Sequence, residues 1–252
     1  MTRLSLQCAR RLLSFGLLIL FSNTAVLAKN LAQESSDVPI SVFNDSGISA
    51  ELLKQAEGVS SRVFGEAGIQ VDWVNCSPGD EAPGGKVACG QAIPQHLHLH
   101  IVRRSLNLRD SILGISYLAS DGTGFQADIF YDEIEKLRHE TLVDPAILLG
   151  HVAAHEIGHL LLGTNSHSSG GIMRAHWTME ELTRANNGLL LFTKSQSHRM
   201  TEKLCVAMAS GEWPSASSTE LSAEGRGPQA AALLDSCCRL FLLISDISSG
   251  DQ

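Results

Sequence analysis

His155-Glu156-Ile157-Gly158-His159-Leu160-Leu161-Leu162-Gly163-Thr164-Asn165-Ser166-His167 is the stretch on which the reading of this chain turns. It closes a helical pattern over 146–162. Asp144 stands at the N-cap position, Pro145 takes the first helical position, and Gly163 can end the helix with positive φ. On such a helix His155 and His159 lie four residues apart, so they project from one face and can share one tetrahedral metal ion. Glu156, one residue along, can reach a metal-held water without being a ligand, which is what a general base needs. A turn at Gly163 would bring His167 back as the third ligand, giving Zn²⁺ three neutral imidazoles and one open position.

Upstream of the helix the pattern is mixed. A short strand at 40–43 is followed by Ser49 as a helix N-cap, and Leu52, Ala56, Val59, Val63 and Ala67 recur at helical spacing before Gly68. Ile69, Val71 and Trp73 alternate with polar residues, and further strands are expected at 97–102, 112–118 and 127–131, the last two separated by Ser120-Asp121-Gly122-Thr123-Gly124. Downstream, Thr178 with Glu181 and Thr193 with Gln196 form capping-box signatures for two more helices. Leu182, Ala185 and Leu189 mark an apolar face on the first of them. The fold class is therefore α+β, a mixed sheet packed on helices.

The stretch 155–167, with Ile172-Met173 shortly after it, resembles the metzincin clan of zinc peptidases. The resemblance implies that His155, His159 and His167 bind zinc, that Glu156 is the base, that Gly163 makes the helix-ending turn and that Met173 forms a turn beneath the metal. The order of elements before the motif is similar to the matrix metalloproteinase layout, which implies that Gly114, Ile115, Ser116, Tyr117 and Leu118 form a substrate-binding edge strand. The implied fold is zincin-like, a twisted mixed sheet with an active-site helix and a Met-turn. The motif departs from the clan by one residue on each side of the glycine, HExxHxxxGxxxH, and an added helical residue rotates the exit by about 100°. The fallback third ligand is a carboxylate from the later helix, Glu180 or Glu181. Arg174 and Ala175 stand where some clan members place a tyrosine.

The ends of the chain read differently. Arg3, Arg10 and Arg11 precede the apolar run 12–21, and Val26-Leu27-Ala28 offers small residues for cleavage, so residues 1–28 are expected to be a signal peptide cut after Ala28. The run is too short to span a bilayer, and no stable membrane insertion is expected after cleavage. Residues 29–37 read as a flexible segment, 38–208 as the catalytic domain, and 209–252 as a low-order tail, in which the apolar run 240–244 is also too short to span. Losing the leader removes three arginines and no acids from a chain of 19 basic and 27 acidic residues, which deepens its net charge of −8 and argues against nucleic acid as a partner. Export to the cell exterior or a periplasm permits disulfides. Cys76 and Cys89 flank a Gly/Pro-rich segment whose closure is worth about 3 kcal/mol on the chain-entropy model. Cys205 could pair with Cys237 or Cys238.

Other histidines have plainer readings. His96, His98 and His100 alternate with Leu97, Leu99 and Ile101, as expected of a polar strand face rather than a second metal site. His151 lies one turn before His155 and reads as a packing neighbour, His176 as a minor ligand candidate, and Trp177 and Met179 as core residues. Together these readings predict a secreted or periplasmic zinc endopeptidase acting on proteins or peptides. The alternative is a catalytically silent scaffold that keeps zinc for folding.

Overall fold

The structure, a computed structural model, describes residues 37–76, 96–103 and 112–210, the side chains of 209 and 210 excepted. The expected leader, the N-terminal segment as far as residue 36, Cys89, Cys237, Cys238 and the tail from residue 211 lie outside the described residues. In chain order the elements are β1 (Val38–Phe43), α1 (Ala50–Glu66), β2 (Val71–Cys76), β3 (Leu97–Val102), β4 (Gly114–Tyr117), β5 (Gln126–Phe130), α2 (Tyr131–Thr141), α3 (Pro145–Leu162), α4 (Met179–Asn186) and α5 (Lys194–Ser210).

The strands form one five-stranded sheet in the order β2-β1-β3-β5-β4. β1 pairs in parallel with β2 and β3, and β3 with β5, whereas β4 runs antiparallel to β5 and forms one edge. Register decides which side chains share a face. Ile40 lies beside Leu97, Val42 beside Leu99, Leu99 beside Ala127 and Ile101 beside Ile129, and all of these are buried. The same face continues onto the edge strand as Ser116, opposite Ala127, and Gly114, opposite Ile129. Two small residues thus occupy the edge-strand positions that face the layer of the core helices.

α3 is the helix on which everything rests. Asp144 accepts a hydrogen bond from the Ala146 N–H at 2.8 Å, Pro145 sits at the first turn, and Gly163 closes the helix in the left-handed conformation, φ 65°. Every residue of α3 except Pro145 and Ile147 is buried, so the helix is apolar all round because it is enclosed all round. It is long and apolar enough to cross a membrane by composition, but its burial identifies it as a core helix. α1, capped by Ser49 at the Leu52 N–H, packs on it through Gly150, where a Cβ would stand 2.6 Å from Cβ of Val59. The two later helices carry the expected capping boxes, with the Glu181 carboxylate accepting from the Thr178 N–H at 2.8 Å and the Gln196 side chain accepting from the Thr193 N–H at 2.9 Å.

One element was not anticipated. Tyr131, expected to end a strand, instead begins α2, which carries a single fully buried residue, Ile134. Its polar residues hold the turns together locally: Arg138 donates to Glu135 at 3.0 Å and the Tyr131 hydroxyl donates to Glu135 at 2.8 Å. Its apolar stripe is only three residues long, Tyr131, Ile134 and Leu137, set among eight polar positions, which leaves little helical periodicity to read in the sequence. It ends at Leu142, a left-handed leucine (φ 59°) that is 90% exposed.

The alternating histidines of β3 do lie on the sheet face away from the core strands' apolar residues, with His98 beside Gln126 and His100 beside Asp128. His100 pairs with Asp45 at 3.1 Å and stacks on Phe43, while His98 is buried with its ring edge-on to Phe43 and Phe125. Cys76 closes β2 and is buried; its expected partner Cys89 is one of the residues left undescribed. Met179, expected in the core, is 60% exposed, because it opens α4 on the helix's outer side.

Candidate metal centre

The two helix histidines are oriented by backbone carbonyls. His155 Nδ1 lies 2.7 Å from the Ile172 carbonyl oxygen and His159 Nδ1 lies 2.7 Å from that of Thr164. A carbonyl can only accept, so each Nδ1 carries the hydrogen and each Nε2 presents a lone pair. Those two Nε2 atoms stand 3.1 Å apart. Burial holds the His155 imidazolium off, down to about 3, with the Ile172 bond opposing and the neighbouring His159 and His167 adding to the depression, so no proton bridges the pair at neutral pH. Two lone pairs facing each other at that separation suit a cation held between them. Tetrahedral zinc with ligand bonds of about 2.0–2.1 Å sets its nitrogens roughly 3.3–3.4 Å apart, close to what is seen.

His167 completes the cluster. Its ring centroid lies 5.4 Å from that of His155 and 4.9 Å from that of His159, and ligand atoms of the three residues all fall within 4.8 Å of one another. Burial also lowers His159 and, with His176 nearby, the exposed His167, which favours the neutral form that can ligate. Among the described residues this is the one group of three or more His, Cys, Asp or Glu side chains that could hold a metal ion, and its donor set is consistent with zinc.

The added residue on each side of Gly163 is absorbed locally. The Gly163 N–H donates to the carbonyls of His159 and Leu160 at 2.9 and 3.2 Å, and the chain then turns so that the Thr164 carbonyl meets His159. A second left-handed glycine packs against the first: a Cβ on Gly122 (φ 82°) would come within 2.5 Å of the Gly163 oxygen. Beyond His167 the Ser168 N–H donates to the Met173 carbonyl at 2.8 Å and the Ile172 N–H donates to that of Leu191 at 2.9 Å. That turn buries Met173 against α3, where a Cβ on Gly158 would meet the Met173 sulfur at 2.9 Å. Trp177 Nε1 donates at 3.1 Å to the same Ile172 carbonyl that orients His155.

Neither fallback ligand joins the cluster. One Glu181 oxygen takes the Thr178 N–H and hydroxyl, the other takes Arg174, and Glu180 is exposed in the first turn of α4. His151 is fully buried, donates from Nδ1 to the Ile147 carbonyl at 2.8 Å, and meets the edge of Trp177, a packing neighbour as expected. His176 is exposed on the wall of the cavity that the cluster opens into.

Glu156 is 5% exposed and points at the edge strand. Ser116 Oγ is 2.7 Å from the Glu156 carbonyl and 2.7 Å from its Oε2, and a Cβ on Gly114 would stand 2.8 Å from Oε1. Burial pushes the carboxyl up to about 7, with the Ser116 hydrogen bond pulling the other way. The strand expected over Gly114–Leu118 ends at Tyr117, with Leu118 just beyond it, and two of its small residues cradle Glu156, which the sequence reading did not foresee. The only signal was the Gly-x-Ser spacing, which puts both on one face of a strand. A cavity of about 570 Å³ joins the pieces, walled by β4, by α2 through Glu133, Leu137 and Glu140, and by residues 174–177.

No protein-family model matches the chain, and no curated protein does. Solved structures to which it is similar include a zinc-dependent peptidase from Methanocorpusculum labreanum, at 16% identity and a TM-score of 0.44, covering 64% of this chain and 99% of that one. They also include archaemetzincin from Methanopyrus kandleri, at 13% identity and a TM-score of 0.40, covering 68% of this chain and 97% of that one.

Proposed function

We propose that this chain is a zinc-dependent endopeptidase of the metzincin type, exported to the cell exterior or a periplasm. The observation that carries the reading is a buried carboxylate, Glu156, next to a three-histidine cluster with two lone pairs 3.1 Å apart. Zinc, held by His155, His159 and His167, would polarise the scissile carbonyl and acidify a water beside it. Glu156 takes the proton from that water and passes it to the departing amine. Ser116 holds the carboxylate in place, and the Ile172 and Thr164 carbonyls hold the rings of His155 and His159. β4 lies at the sheet edge beside the base, so an extended peptide can add to it as a further strand, with hydrogen bonds that do not depend on side chains. A purely structural zinc site needs no base beside the metal. Metal analysis of the mature chain, with cleavage of a diverse peptide library before and after chelation, tests the reading. About one zinc per chain and chelator-sensitive cleavage are expected, and a fully loaded chain that cleaves nothing would contradict it.

A further inference from the structure

Arg174 follows Met173 directly and stands on the wall of the cavity that holds His155, His159, His167 and Glu156. An arginine on a surface normally samples many rotamers, but this one is anchored at one corner. Its Nη1 donates to Glu181 Oε1 at 2.6 Å. Glu181 is itself buried, and its other oxygen accepts from the Thr178 N–H at 2.8 Å and the Thr178 hydroxyl at 2.6 Å, so the anchor cannot swing away. The backbone is fixed as well, by a β-bridge between Ser168 and Arg174.

A guanidinium carries five N–H donors in a planar fork. Among the described residues Glu181 is its one hydrogen-bonded partner, and 41% of the side chain remains exposed. Donors are therefore left over on a group already held in position at the cavity wall, and planar pairs of such donors match a carboxylate. Besides the buried Glu156 of α3, the acidic residues and lysine of the cavity wall, Glu133, Lys136 and Glu140, belong to α2, and Lys136 pairs with Glu133 at 3.8 Å. Holding α4 in place does not by itself require an arginine: Glu181 already closes its capping box with Thr178.

We propose that Arg174 is a specificity-determining residue that binds a carboxylate of the peptide substrate, either an acidic side chain or a free C-terminus. This rests on the peptidase reading of the same site. The test uses matched peptide pairs of equal length, one pair differing as Glu against Gln at an interior position and one as C-terminal acid against amide. Cleavage is measured with the wild-type chain, and equilibrium binding with zinc-loaded Glu156→Gln protein, which reads recognition without turnover. The carboxylate member of at least one pair should be favoured about tenfold or more, the scale of a hydrogen bond between charged groups. The pair that shows the preference identifies the source of the carboxylate. Arg174→Gln should bring that ratio to near one with zinc content unchanged, and Arg174→Lys, which keeps the charge and loses the fork, should leave a severalfold preference. If Arg174→Gln does not fold, the wild-type and Arg174→Lys ratios decide. No preference in the wild type, or the full preference in either variant, overturns the assignment. Cleavage without preference would remove the carboxylate site and leave the peptidase, whereas Arg174-dependent binding without cleavage would do the reverse.

Discussion

Ser116 and Glu156 are forty residues apart in the chain and 2.7 Å apart in space, and the hydroxyl has one proton for two acceptors on the same glutamate. Its bond to the carboxylate fixes Glu156, the proposed base, at the edge of the sheet, so Ser116→Ala should lower kcat by about tenfold or more while KM and zinc content hold, since one hydrogen bond to a charged group is worth about 1.5–3 kcal/mol. Ser116→Thr keeps the hydroxyl and should recover much of the rate. A loss in KM alone would place Ser116 with the substrate instead. Glu181 makes a second prediction at this scale. Hydrogen bonds from the Thr178 side chain and backbone, then from Arg174, hold its carboxyl down to about 2. A carboxyl depressed by folding stabilises the protein fully above its unfolded value of about 4.3 and loses that contribution as pH falls toward 2. Thermal unfolding between pH 5 and pH 2 should therefore steepen in wild type relative to Glu181→Gln, and parallel curves would refute the assignment.

At the scale of elements, what could be read in advance follows from how each element is stabilised. α3 was readable because its caps are local and its paired histidines sit four residues apart on one helix, so Asp144, Pro145, His155, His159 and Gly163 carry the whole signal. The capping boxes of α4 and α5 were readable for the same reason. α2 was not, because its helix is held by polar pairs such as Arg138 with Glu135 and by a short stripe of Tyr131, Ile134 and Leu137, of which Ile134 alone is fully buried. The contact of Ser116 with Glu156 was hidden because it depends on sheet register, which no single segment encodes. α2 also ends expensively: Leu142 has φ 59° and is 90% exposed, in a conformation that costs a bulky residue about 1 kcal/mol. Leu142→Asn should raise the unfolding midpoint by a few degrees, and a lower midpoint would show that the leucine makes a contact that outweighs the strain.

Across the whole molecule, the sheet, the enclosed helix and the turn that buries Met173 converge on one cavity, and the account makes that convergence a catalytic device. The alternative, a zinc site kept for folding, would use the same three histidines and the same fold. The two part at Glu156, which is not a ligand candidate in the cluster and would not be needed as a base in a structural site. Replacing it by Gln preserves size and leaves His155, His159 and His167 untouched, so zinc content should remain at about one per chain. Peptide hydrolysis by the zinc-loaded variant should fall by at least about a hundredfold, the usual cost of losing a general base. Glu156→Gln protein that holds its zinc and cleaves as fast as wild type would contradict the central claim.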